Sequence, residues 1–148
     1  MKKTDLAYVA GIVDGEGCIT IAHKWEYKRG TESYSLLISL HSTDEWLCQF
    51  LRNAFGGYVG LDQRKARPHH LPAWRWQVTG KYAYELLRVI LPYLHLKRPQ
   101  AELAIKFQEA KMRRGHRRGR TGMTAEERVI EEAQHILMKE AKKKLTSQ

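Results

Sequence analysis

A short apolar segment that ends in two carboxylates set between glycines constrains this chain more than any other feature. Within T-D-L-A-Y-V-A-G-I-V-D-G-E-G (residues 4–17), bulky side chains recur at i, i+3, i+4 and i+7, which predicts a helix with one apolar stripe. A second stripe, at Ala7, Gly11 and Gly15, is almost bare. Because glycine inside a helix costs about 1 kcal/mol relative to alanine, the bare stripe indicates close packing against another helix, such as a second copy of this one.

The two acids at the helix end, Asp14 and Glu16, lie where the helix dipole is partly negative and favours cations. A divalent cation would compensate for them, since carboxylate and carbonyl oxygens suit Mg²⁺, Mn²⁺ or Ca²⁺. The neighbouring Gly15 and Gly17 are expected to take positive φ angles in a C-terminal cap and turn. By itself, however, D-G-E-G is more typical of an ordinary solvated turn.

Composition narrows the class of protein. With 148 residues, of which 43% are hydrophobic, the chain can form one domain with a substantial core. Its net charge of +10 predicts a polyanionic partner, with nucleic acid favoured over an anionic membrane. No apolar run approaches a membrane-spanning length and no signal peptide opens the chain, so we expect a soluble intracellular protein with no membrane partner. The sequence does not distinguish cytoplasm or nucleoid from an organelle.

Hydrophobic periodicity predicts an α+β fold with the order helix, hairpin, helix, hairpin, helix and a helical tail. The four strands are expected to form an antiparallel sheet with one apolar face. We expect one domain over residues 1–148, with a core at about 4–112 and a basic loop and C-terminal helix at about 113–148. A capping box at Thr124 and Glu127 opens that last helix. Its apolar side is expected to consist of Val129, Ile130, Ala133, Ile136, Leu137 and Ala141.

The second face of the predicted sheet carries mixed hydrogen-bond donors and acceptors, as strands that contact the DNA major groove do. Any half-exposed sheet is also polar outside, but the charge of the chain favours DNA. The side chains expected to contact DNA from this face are Thr20, Ala22, Lys24, Ser35, Leu37, Ser39, His41, Arg75 and Gln77. Basic turns and loops are expected to add Lys28, Arg29, Arg64, Lys65, Arg67, Arg113, Arg114, Arg117 and Arg118.

Two segments resemble one known family. V-A-G-I-V-D-G-E-G (residues 9–17) resembles the signature of the LAGLIDADG homing endonucleases, with Glu16 at the position of the final acid. P-Y-L-H-L-K-R-P-Q-A-E-L (residues 92–103) resembles the segment that carries an active-site lysine in single-motif, homodimeric members, and Lys97 falls at that position. With the element order, the likeness covers roughly residues 6–111.

The resemblance implies a saddle-shaped sheet over the DNA major groove and site-specific double-strand cleavage by an intron-encoded enzyme. With one motif per chain, it implies a homodimer in which two motif helices pack together, so Ala7, Gly11, Asp14 and Gly15 are expected at the interface.

The same resemblance implies roles for individual residues. Glu16 would bind a divalent metal, Mg²⁺ or an ion in its place, with the carbonyl of Gly15 as a second ligand. Lys97 would support the nucleophilic water or the developing charge. Family members often place a Gln near the end of the second strand; this chain has none there, so that role would pass to Ser42 or His41.

Three other functions are compatible with this sequence. The same fold could serve an RNA maturase, with its own intron RNA as partner, or a DNA-binding regulator that does not cleave. A basic protein with a purely structural role is the third alternative, and sequence-independent, strongly salt-sensitive DNA affinity would support it.

Overall fold

One antiparallel sheet of four strands organises the chain. The computed structural model describes residues 1–26, 30–62, 72–115 and 123–146. The strands are β1 (Gly17–Glu26), β2 (Thr31–Ser42), β3 (Tyr58–Leu61) and β4 (Trp74–Thr79). Their spatial order is β1-β2-β4-β3, which leaves β1 and β3 at the edges.

Five helices complete the fold of the described residues. They are α1 (Lys3–Gly15), α2 (Glu45–Phe55), α3 (Gly80–Ile90), α4 (Arg98–Arg114) and α5 (Ala125–Thr146), with a 3₁₀ turn at Leu91–Tyr93. The α+β class and the predicted order of elements are confirmed. The N-cap of α2 is Asp44, whose carboxylate accepts from the backbone N–H of Trp46. Within the described residues, no helix is both long and apolar enough to cross a membrane.

The core lies on one face of the sheet. Alternate residues of the strands point into it, as the predicted alternation requires. The fully or almost fully buried strand residues are Ile19, Ile21, Tyr34, Leu36, Ile38, Leu40, Trp76 and Val78. Helices α1 to α4 cover this face, and their buried side chains complete the same cluster. Their packing leaves the opposite face of the sheet accessible.

Helix α5 packs in an unexpected orientation. Its predicted apolar side is turned outward: Val129 and Ile130 are 65% and 56% exposed, and Ile136 and Leu137 are about half exposed. The residues that it buries are Met138 and, unexpectedly, Glu131.

The reason for this orientation is the free edge of β1, along which α5 lies. An edge strand offers unpaired backbone groups, and polar side chains can satisfy them. His135 places Nδ1 2.6 Å from the carbonyl oxygen of Ile21. The buried Glu131 accepts a hydrogen bond from the guanidinium of Arg114. Polar contacts therefore decide which side of α5 faces the domain.

Candidate functional site

The C-terminal end of α1 is joined to a chain segment more than 80 residues later. One carboxylate oxygen of Asp14 accepts from the backbone N–H groups of His95 and Leu96, at 2.7 and 3.3 Å. The other oxygen accepts from the N–H of Lys97 at 2.9 Å. Three hydrogen bonds to one carboxylate fix this segment against the helix end. Asp14 thereby holds the backbone that carries Lys97.

Lys97 returns its side chain to the same helix end. Its Nζ donates to the backbone carbonyls of Val13 and Asp14, at 2.9 and 2.6 Å. These carbonyls belong to the last turn of α1, where a cation is favoured. Burial lowers the pKa of the Lys97 ammonium, and nearby negative charges, chiefly that of Asp14, oppose the shift. An ammonium has three N–H donors, so one remains for a further partner.

Glu16 follows directly and is exposed. It is the C-cap of α1, with φ −111° and ψ −16°, and neither Gly15 nor Gly17 takes the positive φ that the sequence suggested. Gly17 is needed for a different reason: a Cβ there would lie 2.8 Å from both Cα and the carbonyl oxygen of Val13. The chain therefore turns tightly from α1 into β1 and leaves the Glu16 carboxylate accessible at the corner.

These residues fit a divalent cation that is shared with a phosphate. Within residues 1–26, 30–62, 72–115 and 123–146, no group of three or more His, Cys, Asp or Glu side chains could form a protein cage for a metal. Mg²⁺ commonly takes one or two carboxylates and completes its shell with water and substrate phosphate oxygens. The exposed Glu16 carboxylate, with the Gly15 carbonyl beside it in sequence, meets that requirement.

The end of β2 lies next to this corner. Gly17 pairs with Leu40. Because the strands are antiparallel, the next residue of β2, His41, lies opposite Glu16. His41 Nε2 lies 3.2 Å from a carboxylate oxygen of Asp62. Ser42 instead accepts the backbone N–H of Asp44 at 3.0 Å and stabilises the turn into α2. Of the two candidates for the missing Gln, His41 is on the open face of the sheet.

The predicted DNA-contacting side chains of the strands share that open face. The register of the strands places most of them in cross-strand pairs. Lys24 and His41 are exposed, and the others are partly buried. The pairs are Thr20 with Leu37, Ala22 with Ser35, Ser39 with Gln77, and His41 with Arg75. The sheet therefore brings together residues from three strands as one polar surface beside Glu16.

The predicted basic contacts from loops are divided. Arg113 is exposed at the end of α4, whereas the guanidinium of Arg114 bonds to Glu131. The other seven residues, Lys28, Arg29, Arg64, Lys65, Arg67, Arg117 and Arg118, lie outside the described residues.

The bare stripe of α1 faces outward. Ala7, Gly11 and Gly15 are exposed, and a Cβ added to either glycine would meet nothing within 4 Å. Asp14, the remaining predicted interface residue, is half-buried by its contacts with the 95–97 segment. Close by along the helix, Tyr8 is 53% exposed and makes an edge contact with Phe50 of α2. The stripe can therefore receive another backbone at close range.

Sequence reasoning missed one residue at this site. Lys142 of α5 donates to Sγ of Cys18 at 3.0 Å, two residues beyond Glu16. The sequence placed Lys142 in a basic helix end, where a lysine is favourable without any partner. No spacing pattern could have connected it with Cys18, because their contact spans 124 residues.

This chain is similar to known proteins in sequence and in fold. A family model described as LAGLIDADG endonuclease matches residues 9–111. A search of curated protein sequences found no match.

Several solved structures share the fold. The homing endonuclease I-CvuI, in a complex with DNA, is 20% identical, with 97% of this chain and 96% of that chain covered and a TM-score of 0.59. The archaeal intron-encoded homing endonuclease I-Vdi141I, also complexed with DNA, is 9% identical over 96% of this chain and 99% of that one, with a TM-score of 0.59. The LAGLIDADG homing endonuclease I-SmaMI, bound to cleaved DNA, is 17% identical with a TM-score of 0.66. The match covers 88% of this chain and 42% of that chain.

Proposed function

Because the chain belongs to the LAGLIDADG endonuclease family, we propose that it is a homodimeric homing endonuclease that hydrolyses both strands of a specific DNA site with a divalent metal. The observation that carries the proposal is the junction at the end of α1. There an exposed carboxylate, Glu16, and a partly buried ammonium, Lys97, lie at one corner of a polar sheet face. A carboxylate can hold a divalent metal and an ammonium can stabilise developing negative charge, and both contributions speed phosphodiester hydrolysis.

Each residue has a separate task in this proposal. Glu16 and the Gly15 carbonyl hold the metal, and the sheet face positions the DNA backbone above them. When bound, a divalent ion neutralises phosphate charge and makes a coordinated water more acidic. The third N–H of Lys97 donates to the attacking water or to a phosphate oxygen, while Asp14 and the carbonyls of α1 hold the lysine in place.

We infer a homodimer because each chain contains one proposed metal site. A single Glu16 serves one DNA strand, so cleavage of both strands calls for two copies of the site. The outward stripe of Ala7, Gly11 and Gly15 would let two α1 helices approach closely and bring both corners near the symmetry axis. Double-stranded DNA and a second copy of this chain are therefore the proposed partners, and Mg²⁺ is the proposed cofactor.

Glu16→Gln tests the proposal, with the exposed Glu102→Gln of α4 as a control for charge removal. A target is first selected by cleavage of a randomised DNA library in Mg²⁺. We expect Glu16→Gln to lose at least about 100-fold in single-turnover cleavage, as removal of a charge-stabilising group from an active site does. Binding to the same site in Ca²⁺ should persist, and Glu102→Gln should cut normally.

Three results would contradict this proposal. Equal cleavage rates for Glu16→Gln and the unmodified protein would remove Glu16 from the active site. Specific DNA binding by the unmodified protein without cleavage in Mg²⁺ or Mn²⁺ would favour the non-cleaving regulator. Splicing of an intron RNA without DNA cleavage would favour the maturase.

A further inference from the structure

The second half of α5 lies beside the proposed active site. Gln100, near the start of α4, donates to the carbonyl of Ala141 at 3.4 Å. The next residue, Lys142, is half-buried and reaches Sγ of Cys18. Cys18 alternates along β1 with Thr20 and Ala22, so it belongs to the open face of the sheet. The ammonium group of Lys142 thus reaches that face at Cys18, which is two residues beyond Glu16.

The partner that holds Lys142 is a weak one. A thiol accepts hydrogen bonds poorly, whereas a phosphate oxygen accepts a charge-assisted bond that is about twice as strong as a neutral one. The nearby carboxylate of Asp14 is already occupied by three backbone N–H groups. An entering phosphate would therefore be a better partner for Lys142 than the Cys18 thiol.

Lys142 also acts on the other cation of the corner. Burial is the main cause of the lowered pKa of Lys97, the charges of Asp14, Cys18 and Glu16 oppose it, and the Lys142 charge makes the smallest contribution, in the same direction as burial. Two ammonium groups held at one corner disfavour each other, and a phosphate between or beside them relieves that repulsion. The two ammonium groups could therefore bind one DNA phosphate together.

We propose that Lys142 is a phosphate-binding residue of the active site, which exchanges Cys18 for an oxygen of the scissile phosphate or of the phosphate next to it. The proposal rests on the proposed nuclease function. It makes α5 part of the catalytic unit, although the sequence places this helix outside the recognised motifs.

The first test uses Lys142→Gln and Lys142→Arg, with the exposed Lys139→Gln of the same helix as the matched control. We expect Lys142→Gln to lose about tenfold or more in single-turnover cleavage of the selected site. Lys142→Arg keeps a cation and should recover most of the rate, and Lys139→Gln should stay within about twofold. The midpoint of thermal unfolding, measured for every variant, shows whether α5 remains docked.

The second test does not depend on cleavage. Single phosphates around the cut are replaced by neutral methylphosphonates, and binding is measured in Ca²⁺ for the unmodified protein and for Lys142→Gln. If Lys142 binds one phosphate, the affinity lost by neutralising that phosphate should largely disappear in the variant, and only at that position. A residue that merely fastens α5 would weaken binding equally at every position.

The outcomes separate the two proposals. If the unmodified protein cleaves its site but Lys142→Gln cleaves equally fast, or shows no coupling to any phosphate, the role of Lys142 is overturned and the nuclease function stands. A loss of cleavage that follows a loss of folding, without phosphate coupling, overturns it as well. If no DNA site can be selected, both proposals fail.

Discussion

Asp14 and Glu16 are two acids with different surroundings, although one residue separates them. The Asp14 carboxylate accepts three backbone N–H groups, whereas Glu16 is exposed. These hydrogen bonds occupy the Asp14 carboxylate, whereas the exposed Glu16 carboxylate can bind a ligand. The motif in the sequence identified the pair, and the resemblance distinguished their roles, but only the fold supplies a physical cause for the difference.

Removing these two charges should therefore have unequal effects on the free energy of unfolding. Asp14→Asn keeps one acceptor oxygen and presents an NH₂ to backbone donors, so we expect a loss of about 1–3 kcal/mol in unfolding free energy. Glu16→Gln, the matched neutralisation of an exposed acid, should change stability by less than about 0.5 kcal/mol. Urea denaturation measures both. Equal losses of stability would show that the three hydrogen bonds do not hold the 95–97 segment.

Burial of Lys97 predicts a pH dependence of stability. The pKa of Lys97 is lower in the folded chain than its ordinary value of 10.5. Between these two values the unfolded chain binds more protons, so the unfolding free energy rises with pH there. Below the folded pKa, both states are protonated and the cost of burying the charge is fully present.

We expect Lys97→Met to have a smaller rise in unfolding free energy than the unmodified protein as the pH is raised toward 10.5, since the variant lacks this proton. Because Lys111 is also buried and has a lowered pKa, only the difference between the two proteins isolates Lys97. The exposed Lys106→Met is the control and should retain the full rise. Superimposable pH profiles for all three proteins would contradict the assignment.

Among the elements, α5 shows where helical periodicity stops being informative. The capping box was correct: Glu127 N–H donates to Thr124 Oγ1, and Thr124 N–H donates to a Glu127 carboxylate oxygen. The spacing of apolar residues also indicated a helix. It did not indicate which side is buried, because that side is chosen by the edge of β1 and by Arg114, neither of which is near in sequence.

The orientation of α5 can be tested by truncating one side chain on each side. Met138→Ala removes a fully buried side chain and should lower the unfolding free energy by about 2–5 kcal/mol. Ile136→Ala, on the outward side, should change it by less than about 0.5 kcal/mol, since this isoleucine is 49% exposed. Chemical denaturation measures both variants. A larger loss for Ile136→Ala would mean that α5 packs by its apolar stripe.

For the whole molecule, alternation and helical spacing were enough to predict the sheet and its order of elements. Buried residues alternate along β1 as far as Ile21, along β2 from Tyr34 to Leu40, and along β4 at Trp76 and Val78, so the faces of these stretches could be assigned before the fold was known. Assembly of the site could not be predicted in the same way. Asp14 meets its partners 81 to 83 residues later, and such contacts leave no periodic trace in a single sequence.

The dimer can be examined through Gly11. A Cβ at this position meets nothing within the chain, and an alanine favours the helix by about 1 kcal/mol, so Gly11→Ala should stabilise the monomer. In a closely packed pair of α1 helices the same methyl group would separate the backbones, and Gly11→Val should raise the dimer dissociation constant at least about tenfold. Sedimentation equilibrium measures this constant.

The control for this experiment is Ala133→Val, an equally exposed small residue on α5. It should leave the association constant unchanged. Unaltered association of Gly11→Val would show that the bare stripe is not the contact between the two copies.

The contacts of Asp14 also impose an order in time. Its third partner, Lys97, is made 83 residues later, which at synthesis rates of about 5–20 residues per second is a delay of about 4–17 s. During that interval the residues of α1 have been made, but Lys97, which donates to the last carbonyls of α1, has not. The backbone N–H groups that bind the Asp14 carboxylate are also missing. A nascent chain therefore carries the whole motif before the proposed active site can form, and that site is complete only after most of the domain has been translated.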